Sequence, residues 1–283
     1  MLAIFSMRAA FGADLDEIRE RGELRHLGVP YANFVTGSGD GMDVELVRLF
    51  ADYLGVKYKY IKTSWKDAIG DLSGKRVKAD GANVKILGDV PIRGDILANG
   101  LTILPWRKKV IDFSTPTFPT QIWLMAVADS PMKPIRPSGD ITRDIKAVKA
   151  KIHGRFVLGK LNTCLDPSLY KLRDVGAKVI LFGGNLNELA PAIINGEAEA
   201  TILDVPDALV ALEKWPAKIK VVGPISHRQE MGAGFAKTSS RLRDAFNQFL
   251  EKCKGDGTYH RLVQKYYPDV FMYYPAFFQK EIE

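Results

Sequence analysis

The chain has 283 residues, 46% of them hydrophobic and 26% charged. That is a globular balance, large enough for one big domain or two ordinary lobes, and it excludes a disordered chain. Its 40 Lys and Arg against 33 Asp and Glu leave a charge of +7, but the basic residues are scattered, as at Lys57, Lys59, Lys62 and Lys66, and no nucleic-acid-binding motif accompanies them.

Residues 1–13 are apolar and turn abruptly acidic at Asp14. With small residues at Ala10, Gly12 and Ala13, they read as the remnant of a secretory signal peptide. Beyond them no apolar run is long enough to span a bilayer. An amphipathic helix follows at 14–21, ended by Gly22, and then a strand at 24–29. Val44, Val47, Phe50 and Leu54 recur at helical spacing over 44–54, stopped by Gly55. Tyr58 and Tyr60 alternate with lysines over 57–63 as in a half-exposed strand. A short helix at 67–72 leads into residues 74–93, rich in Gly, Lys and Asp, with one β-like run at 84–87. We expect a surface excursion over 76–93.

The next unit is a buried strand at 96–98, a turn at Gly100 and Thr102, and a helical turn opened by Pro105 that carries Arg107. A guanidinium, backbone amides at a turn and a small hydroxyl within eight residues form a receptor for a carboxylate, because the planar fork of arginine meets both carboxylate oxygens. Past a strand at 121–127 and a Pro-rich linker at 131–139, helices expected at 142–152, 167–175, 185–195 and 207–214 alternate with strands at 156–158, 178–182, 200–204 and 218–222. Helices at 242–254 and 259–267 end the series. This alternation means βα units and mostly parallel sheets, an α/β fold whose ligands bind beyond the carboxyl ends of the strands. Asp204 closes a short apolar strand at such an end, and it also suits the N-cap of the helix that follows at Pro206. One fixed cation and one fixed anion at strand ends suit a zwitterion. His26, His153, His227 and His260 are isolated from one another and from both cysteines, so no metal site and no cofactor are expected.

The run from Asp95 to Pro116 resembles the D-x-x-x-x-G-x-T-x-x-x-x-R-x-x-x-x-D-F-S-x-P pattern of the family 3 extracellular solute-binding proteins, the polar-amino-acid receptors of bacterial ABC importers. Three further segments match in order: Gly41-Met42-Asp43-Val44-Glu45-Leu46, Gly196 through Asp204, and Gly255-Asp256-Gly257-Thr258-Tyr259. The resemblance implies a two-lobed type II periplasmic-binding-protein fold. Lobe 1 would be 14–118 plus 231–283, lobe 2 would be 122–227, and the hinge would lie near 117–121 and 227–231. It implies a non-catalytic, exported, monomeric protein that takes an amino acid or related zwitterion into its interlobe cleft and presents it to a membrane ABC permease or a sensor. A cyclohexadienyl dehydratase-like enzyme and a muropeptide-sensing regulator are the alternatives on the same scaffold.

In the ligand site the resemblance places Arg107, Thr102 and Gly100 on the carboxylate, Asp204 on the ammonium and Trp65 against the ligand. Tyr31 and Phe34 lie in the loop of a second aromatic, Thr163 at the helix-start position that gives a hydroxyl and amide, and Lys160 near the side-chain pocket. The first loop lacks the acid many relatives carry there. Together with Lys160 this favours a neutral polar, acidic or aromatic ligand over lysine or arginine. Cys164 and Cys253 fall on different lobes and are expected as two thiols.

Overall fold

The computed structural model describes residues 12–279, so residues 1–11 of the expected signal-peptide remnant lie outside it. The N-terminal part runs through helix α1 (Leu15–Arg21), strand β1 (Glu23–Gly28), α2 (Met42–Leu54), β2 (Lys57–Lys62), α3 (Ala68–Ser73), β3 (Lys75–Asp80), β4 (Asn83–Asp89), β5 (Ile96–Leu97), α4 (Pro105–Lys108), β6 (Ile111–Phe113) and β7 (Phe118–Thr120). The middle part comprises β8 (Ile122–Val127), α5 (Ile141–Ala150), β9 (Phe156–Gly159), β10 (Lys178–Leu181), α6 (Leu189–Ile194), β11 (Ala200–Asp204), α7 (Val205–Lys214) and β12 (Ile219–Pro224). Then come β13 (Gln229–Met231), β14 (Gly234–Ala236), α8 (Ser240–Gly255), α9 (Thr258–Tyr266), α10 (Val270–Tyr273) and α11 (Pro275–Gln279).

Among the described residues two five-stranded sheets form, in the orders β2-β1-β5-β14-β6 and β10-β9-β11-β8-β12. In each, one strand runs against the rest: β14 is antiparallel to both β5 and β6, and β8 is antiparallel to both β11 and β12. Those two strands are the ones that enter a sheet directly from the passage between the lobes. A parallel neighbour requires a crossover of a dozen residues or more, usually a helix, and neither strand is preceded by one. The passage itself is a two-stranded antiparallel ribbon, β7 on β13, with Phe118 opposite Met231 and Thr120 opposite Gln229.

Local sequence explains most of the elements. α2 buries Val44, Val47, Phe50 and Leu54, the residues at helical spacing. Phe50 meets Phe246 and Phe249 of α8 edge-on and tilted, at 5.1 and 5.3 Å between ring centroids, so the C-terminal helices complete the first lobe. α10 and α11 continue this packing: Phe278 lies 6.3 Å from Phe118, and Tyr273 lies 5.4 Å from Trp123 of β8. The tail thus lines the passage between the lobes.

Two expectations are corrected. The helix expected over 167–175 is two separate 3-10 turns, Pro167–Tyr170 and Arg173–Val175, because Lys171 takes a left-handed φ of 53° that no continuous helix admits. The excursion expected over 76–93 is most of a β3–β4 hairpin rather than one β-like run. It carries Ile86 and Leu87 exposed, and its Ala79 amide donates to Asn162 Oδ1 of the other lobe at 3.3 Å.

His26 of β1 is fully buried. Its Nε2–H donates to the Ala98 carbonyl at 2.7 Å and its Nδ1 accepts from the Tyr58 hydroxyl at 2.8 Å; a carbonyl can only accept, which fixes the neutral tautomer. Burial lowers its pKa to about 4, against the opposing pull of the Ala98 carbonyl. The folded value lies below the ordinary one of 6.5, so the unfolded chain binds the proton first. His26 therefore contributes stability above about pH 6.5 that is lost as pH falls toward 4, about 3 kcal/mol in all. Comparing urea unfolding of the parent and His26→Gln at pH 7 and pH 4 isolates this from the buried carboxyls, which titrate in both. We expect the gap to narrow by about that amount at pH 4. A gap independent of pH would rule the assignment out.

Candidate functional site

The loop between β1 and α2 folds back on itself. Tyr31 bridges Val35, the Asp43 amide donates to the Phe34 carbonyl, and Gly41 caps α2 at φ 127°, ψ 162°, a conformation essentially reserved for glycine. A Cβ on Gly41 would sit 2.3 Å from the Phe34 carbonyl oxygen. Held this way, Asp43 turns inward and accepts the Gly100 amide at 2.7 Å. Its carboxyl is pushed up to about 7 by burial, against the lowering effect of that amide. The Gly100 amide expected to face ligand is thus already bonded to Asp43. Gly100 has φ 66°, and a Cβ there would lie 2.4 Å from the Phe34 ring. Phe34 therefore packs beneath the turn, against Phe118 and Tyr267, as part of the core.

Pro105 at the first turn of α4 aims Arg107 inward, 1% exposed. One guanidinium nitrogen donates to the Thr102 carbonyl at 2.8 Å, and the Nε has no partner. Its plane lies 5.9 Å from the Trp65 ring and 5.3 Å from that of Trp106, within cation–π range. Trp65 is half-buried and meets Tyr31 edge-to-face at 5.5 Å and 87°. Burial lowers the pKa of Arg107, while Cys164, Tyr170, Tyr31 and Asp204 act in the opposite direction. An arginine stays charged even so.

From the second lobe Asp204, 0% exposed, ends β11 and caps α7, with one oxygen accepting the Asp207 amide at 3.2 Å. The other oxygen lies 3.5 Å from the Cys164 thiol. Burial raises the Asp204 carboxyl to about 6, opposed by Tyr31, the Asp207 amide, Cys164 and Arg107. The Tyr31 hydroxyl lies near enough to lower that pKa, but its geometry falls short of a hydrogen bond and it counts among the buried unpartnered atoms. The capping and the cleft-facing readings of Asp204 are thus compatible in one side chain.

Among the other expected residues, the Thr102 hydroxyl is buried without a partner of good geometry, beside Cys164. The Thr163 hydroxyl donates to the Lys160 carbonyl at 2.8 Å and accepts from the Leu165 amide at 3.0 Å, so it braces its own loop. Lys160 directs its ammonium to the carbonyls of Phe182, Gly183 and Gly184, the last at 2.6 Å. The structure therefore brings Tyr31, Trp65, Thr102, Arg107 and Asp204 together and leaves Phe34, Thr163 and Lys160 in supporting positions.

Three residues that sequence reasoning did not single out join them. Cys164 is 1% exposed, its thiol pKa raised chiefly by burial and then by Asp204. Tyr170 donates to the Cys164 carbonyl at 2.5 Å. Asp207 is 5% exposed, with its Oδ2 unpartnered. Cys164 and Cys253 are both thiols, as expected. No group of side chains able to hold a metal occurs among the described residues, and no helix there is long and apolar enough to cross a membrane.

The lobes also meet directly: the Ala32 amide donates to Asn187 Oδ1 at 3.0 Å, alongside the Ala79 to Asn162 bond. Between the lobes, buried Arg107 and buried Asp204 come from opposite sides, and buried atoms without partners, among them Arg107 Nε, the Tyr31 and Thr102 hydroxyls and Asp207 Oδ2, occur on both. Such atoms cost about 1–3 kcal/mol each when left unpaired, so a polar ligand bonding them would be bound strongly.

The sequence profile of bacterial extracellular solute-binding proteins, family 3, matches residues 92–269. The L-cystine-binding protein TcyJ of Escherichia coli strain K12 is 25% identical over 258 residues, 89% of this chain and 85% of that protein. Among solved structures, holo ArgBP from T. maritima superposes with a TM-score of 0.66 at 25% identity, covering 89% of this chain and 99% of that one. The ancestral amino acid-binding protein AncCDT-1, a precursor of cyclohexadienyl dehydratase, superposes with a TM-score of 0.68 at 26% identity, covering 89% and 98%. The shared architecture is the two-lobed type II periplasmic-binding-protein fold.

Proposed function

We propose that this chain, which belongs to the bacterial extracellular solute-binding proteins of family 3, captures an amino acid or related zwitterion between its lobes and does no chemistry on it. The observation that carries this reading is that each lobe buries one charged side chain, Arg107 on α4 with its Nε unpartnered and Asp204 at the end of β11. The carboxylate would take the fork of Arg107 and the hydroxyl of Thr102, the ammonium would take Asp204, and Trp65 with Tyr31 would wall the remainder. Residues 14–118 with 231–283 and residues 122–227 would move as two bodies about β7 and β13, an exported monomer delivering its cargo to an ABC permease or a sensor. Closure follows because neither lobe alone satisfies both charges, so a zwitterion prefers the closed state and shifts the population toward it.

Thermal unfolding against the twenty amino acids, followed by small-angle scattering with whichever stabilises most, tests this. A ligand at a hundredfold excess over its Kd should stabilise by about 2.7 kcal/mol and reduce the radius of gyration. No stabilisation by any amino acid, or stabilisation with superimposable scattering curves, would defeat the reading.

A further inference from the structure

Two hydrogen bonds between the lobes share one form: a backbone N–H of the first lobe donates to an asparagine side chain of the second. The Ala32 amide meets Asn187 Oδ1 at 3.0 Å, and the Ala79 amide meets Asn162 Oδ1 at 3.3 Å. Each is anchored beside the candidate site. Ala32 follows Tyr31 directly, and Asn162 stands two residues before Cys164, whose thiol lies 3.5 Å from Asp204 Oδ2.

Local structure prepares these donors and acceptors. The Tyr31–Val35 turn uses the Tyr31, Phe34 and Val35 amides within itself and leaves that of Ala32 for Asn187. It holds Ala32 at a left-handed φ of 45°, a conformation that is costly for alanine and persists only where the surroundings fix it. Asn162 is also left-handed, at φ 61°, where asparagine is tolerated better than most residues with a side chain. Its own amide donates to Asp166 Oδ2 at 3.2 Å, which ties its loop to the 3-10 turn that follows.

The donor Ala79 sits near the tip of the β3–β4 hairpin, one residue before the closing pair Asp80–Asn83. The base of that hairpin is fixed to the first lobe: the Val90 amide donates to the Gly74 carbonyl at 3.0 Å, and Arg93 pairs with Asp71 at 2.8 Å. At the tip, Lys109 of the first lobe bonds Asn83. The hairpin lies ahead of the span that matches the family profile, and it forms an arm rooted in one lobe that ends on the other.

We propose that these two bonds form a clasp between the lobes, in which Asn162 and Asn187 set how often the protein is closed and not which ligand it takes. The inference rests on the two-body motion proposed above. Neither asparagine carries charge and each bonds backbone, so their contribution to closure is the same whatever lies at Arg107 and Asp204. A neutral bond exchanged for water is worth a factor of about two to twelve in the closed-to-open ratio. The two bonds lie on separate loops, so their factors multiply to roughly 5 to 150.

The test is small-angle scattering of the parent, Asn162→Gly, Asn187→Ala and the double variant, with no amino acid added and circular dichroism as the check on folding. Glycine accepts the left-handed φ at position 162, so the acceptor is removed there without backbone strain. The radius of gyration should rise in each single variant and further in the double one. Asn162→Asp and Asn187→Asp keep an acceptor oxygen and should scatter like the parent. In calorimetry, each amino acid of the thermal screen that binds the parent should bind the double variant more weakly by one common factor. A double variant as compact as the parent, aspartate variants as expanded as the others, or losses that differ among amino acids would overturn the clasp. Where the double variant fails the folding check, the single variants decide. The scattering needs no ligand: if no amino acid binds while the variants expand, the amino-acid reading falls and the clasp stands.

Discussion

Arg107→Ala and Asp204→Asn should each weaken amino-acid binding by two to four orders of magnitude. Removing one member of a buried, charge-paired contact costs about 3–5 kcal/mol, because the ligand group left behind is buried without its partner. The choice of asparagine matters at position 204. That side chain caps α7 through the Asp207 amide, and asparagine caps as well as aspartate, so helix stability is preserved while the negative charge goes. At position 107 alanine loses the bond to the Thr102 carbonyl and leaves a cavity, so circular dichroism must show a folded protein before lost binding is read as loss of the carboxylate clamp. Calorimetry of both variants with the best ligand of the parent decides the matter. Parent-like affinity in both would show that the ligand sits elsewhere.

Gly41→Ala should be the most destabilising single-atom-scale change near the site, on the order of 4 kcal/mol. It combines a backbone conformation that costs a non-glycine residue about 1–3 kcal/mol with overpacking of similar size. The added methyl would lie 2.3 Å from the Phe34 carbonyl oxygen and 2.9 Å from the Val35 amide nitrogen, backbone atoms that cannot rotate away. Relief requires moving the loop that carries Tyr31 or the start of α2 that carries Asp43, so affinity should fall along with stability. Urea unfolding of Gly41→Ala beside Gly37→Ala, whose added methyl meets nothing within 4 Å, separates steric conflict from left-handed strain. Equal losses in the two variants would leave strain alone as the cause.

Much of this was legible because it is local. The run from Gly94 to Pro116 encodes a strand, a turn and a helix start within a few residues, and Pro105 fixes where Arg107 points. Asp204 was legible as a cap because Asp-Val-Pro marks a helix start at a strand end. What stayed hidden depends on partners distant in sequence. β6, β7, β13 and β14 are three residues each, too short for any period to register, and exist because their pairing partners do. Thr163 and Lys160 match positions in a pattern, but the loop they belong to consumes their polar groups in its own hydrogen bonds. Cys164 and Asp207 are each a single residue from, or within one turn of, a residue that was singled out. Nothing in their immediate neighbours says that both face inward; only the placement of α7 and of the loop after β9 against the first lobe does.

The reversed strand β14 has a consequence for how the chain acquires its form. It lies between β5 and β6 in the first sheet, pairing through Gly234 with both Leu97 and Phe113, yet about half the chain is made between those neighbours and it. Until residues 234–236 have been synthesised, β5 and β6 present open edges to each other across a missing strand. The second sheet, by contrast, draws all its strands from one uninterrupted stretch, Ile122 to Pro224. During vectorial synthesis the second lobe is thus topologically complete while the first still carries exposed edges, the feature that invites mispairing and chaperone contact in nascent chains.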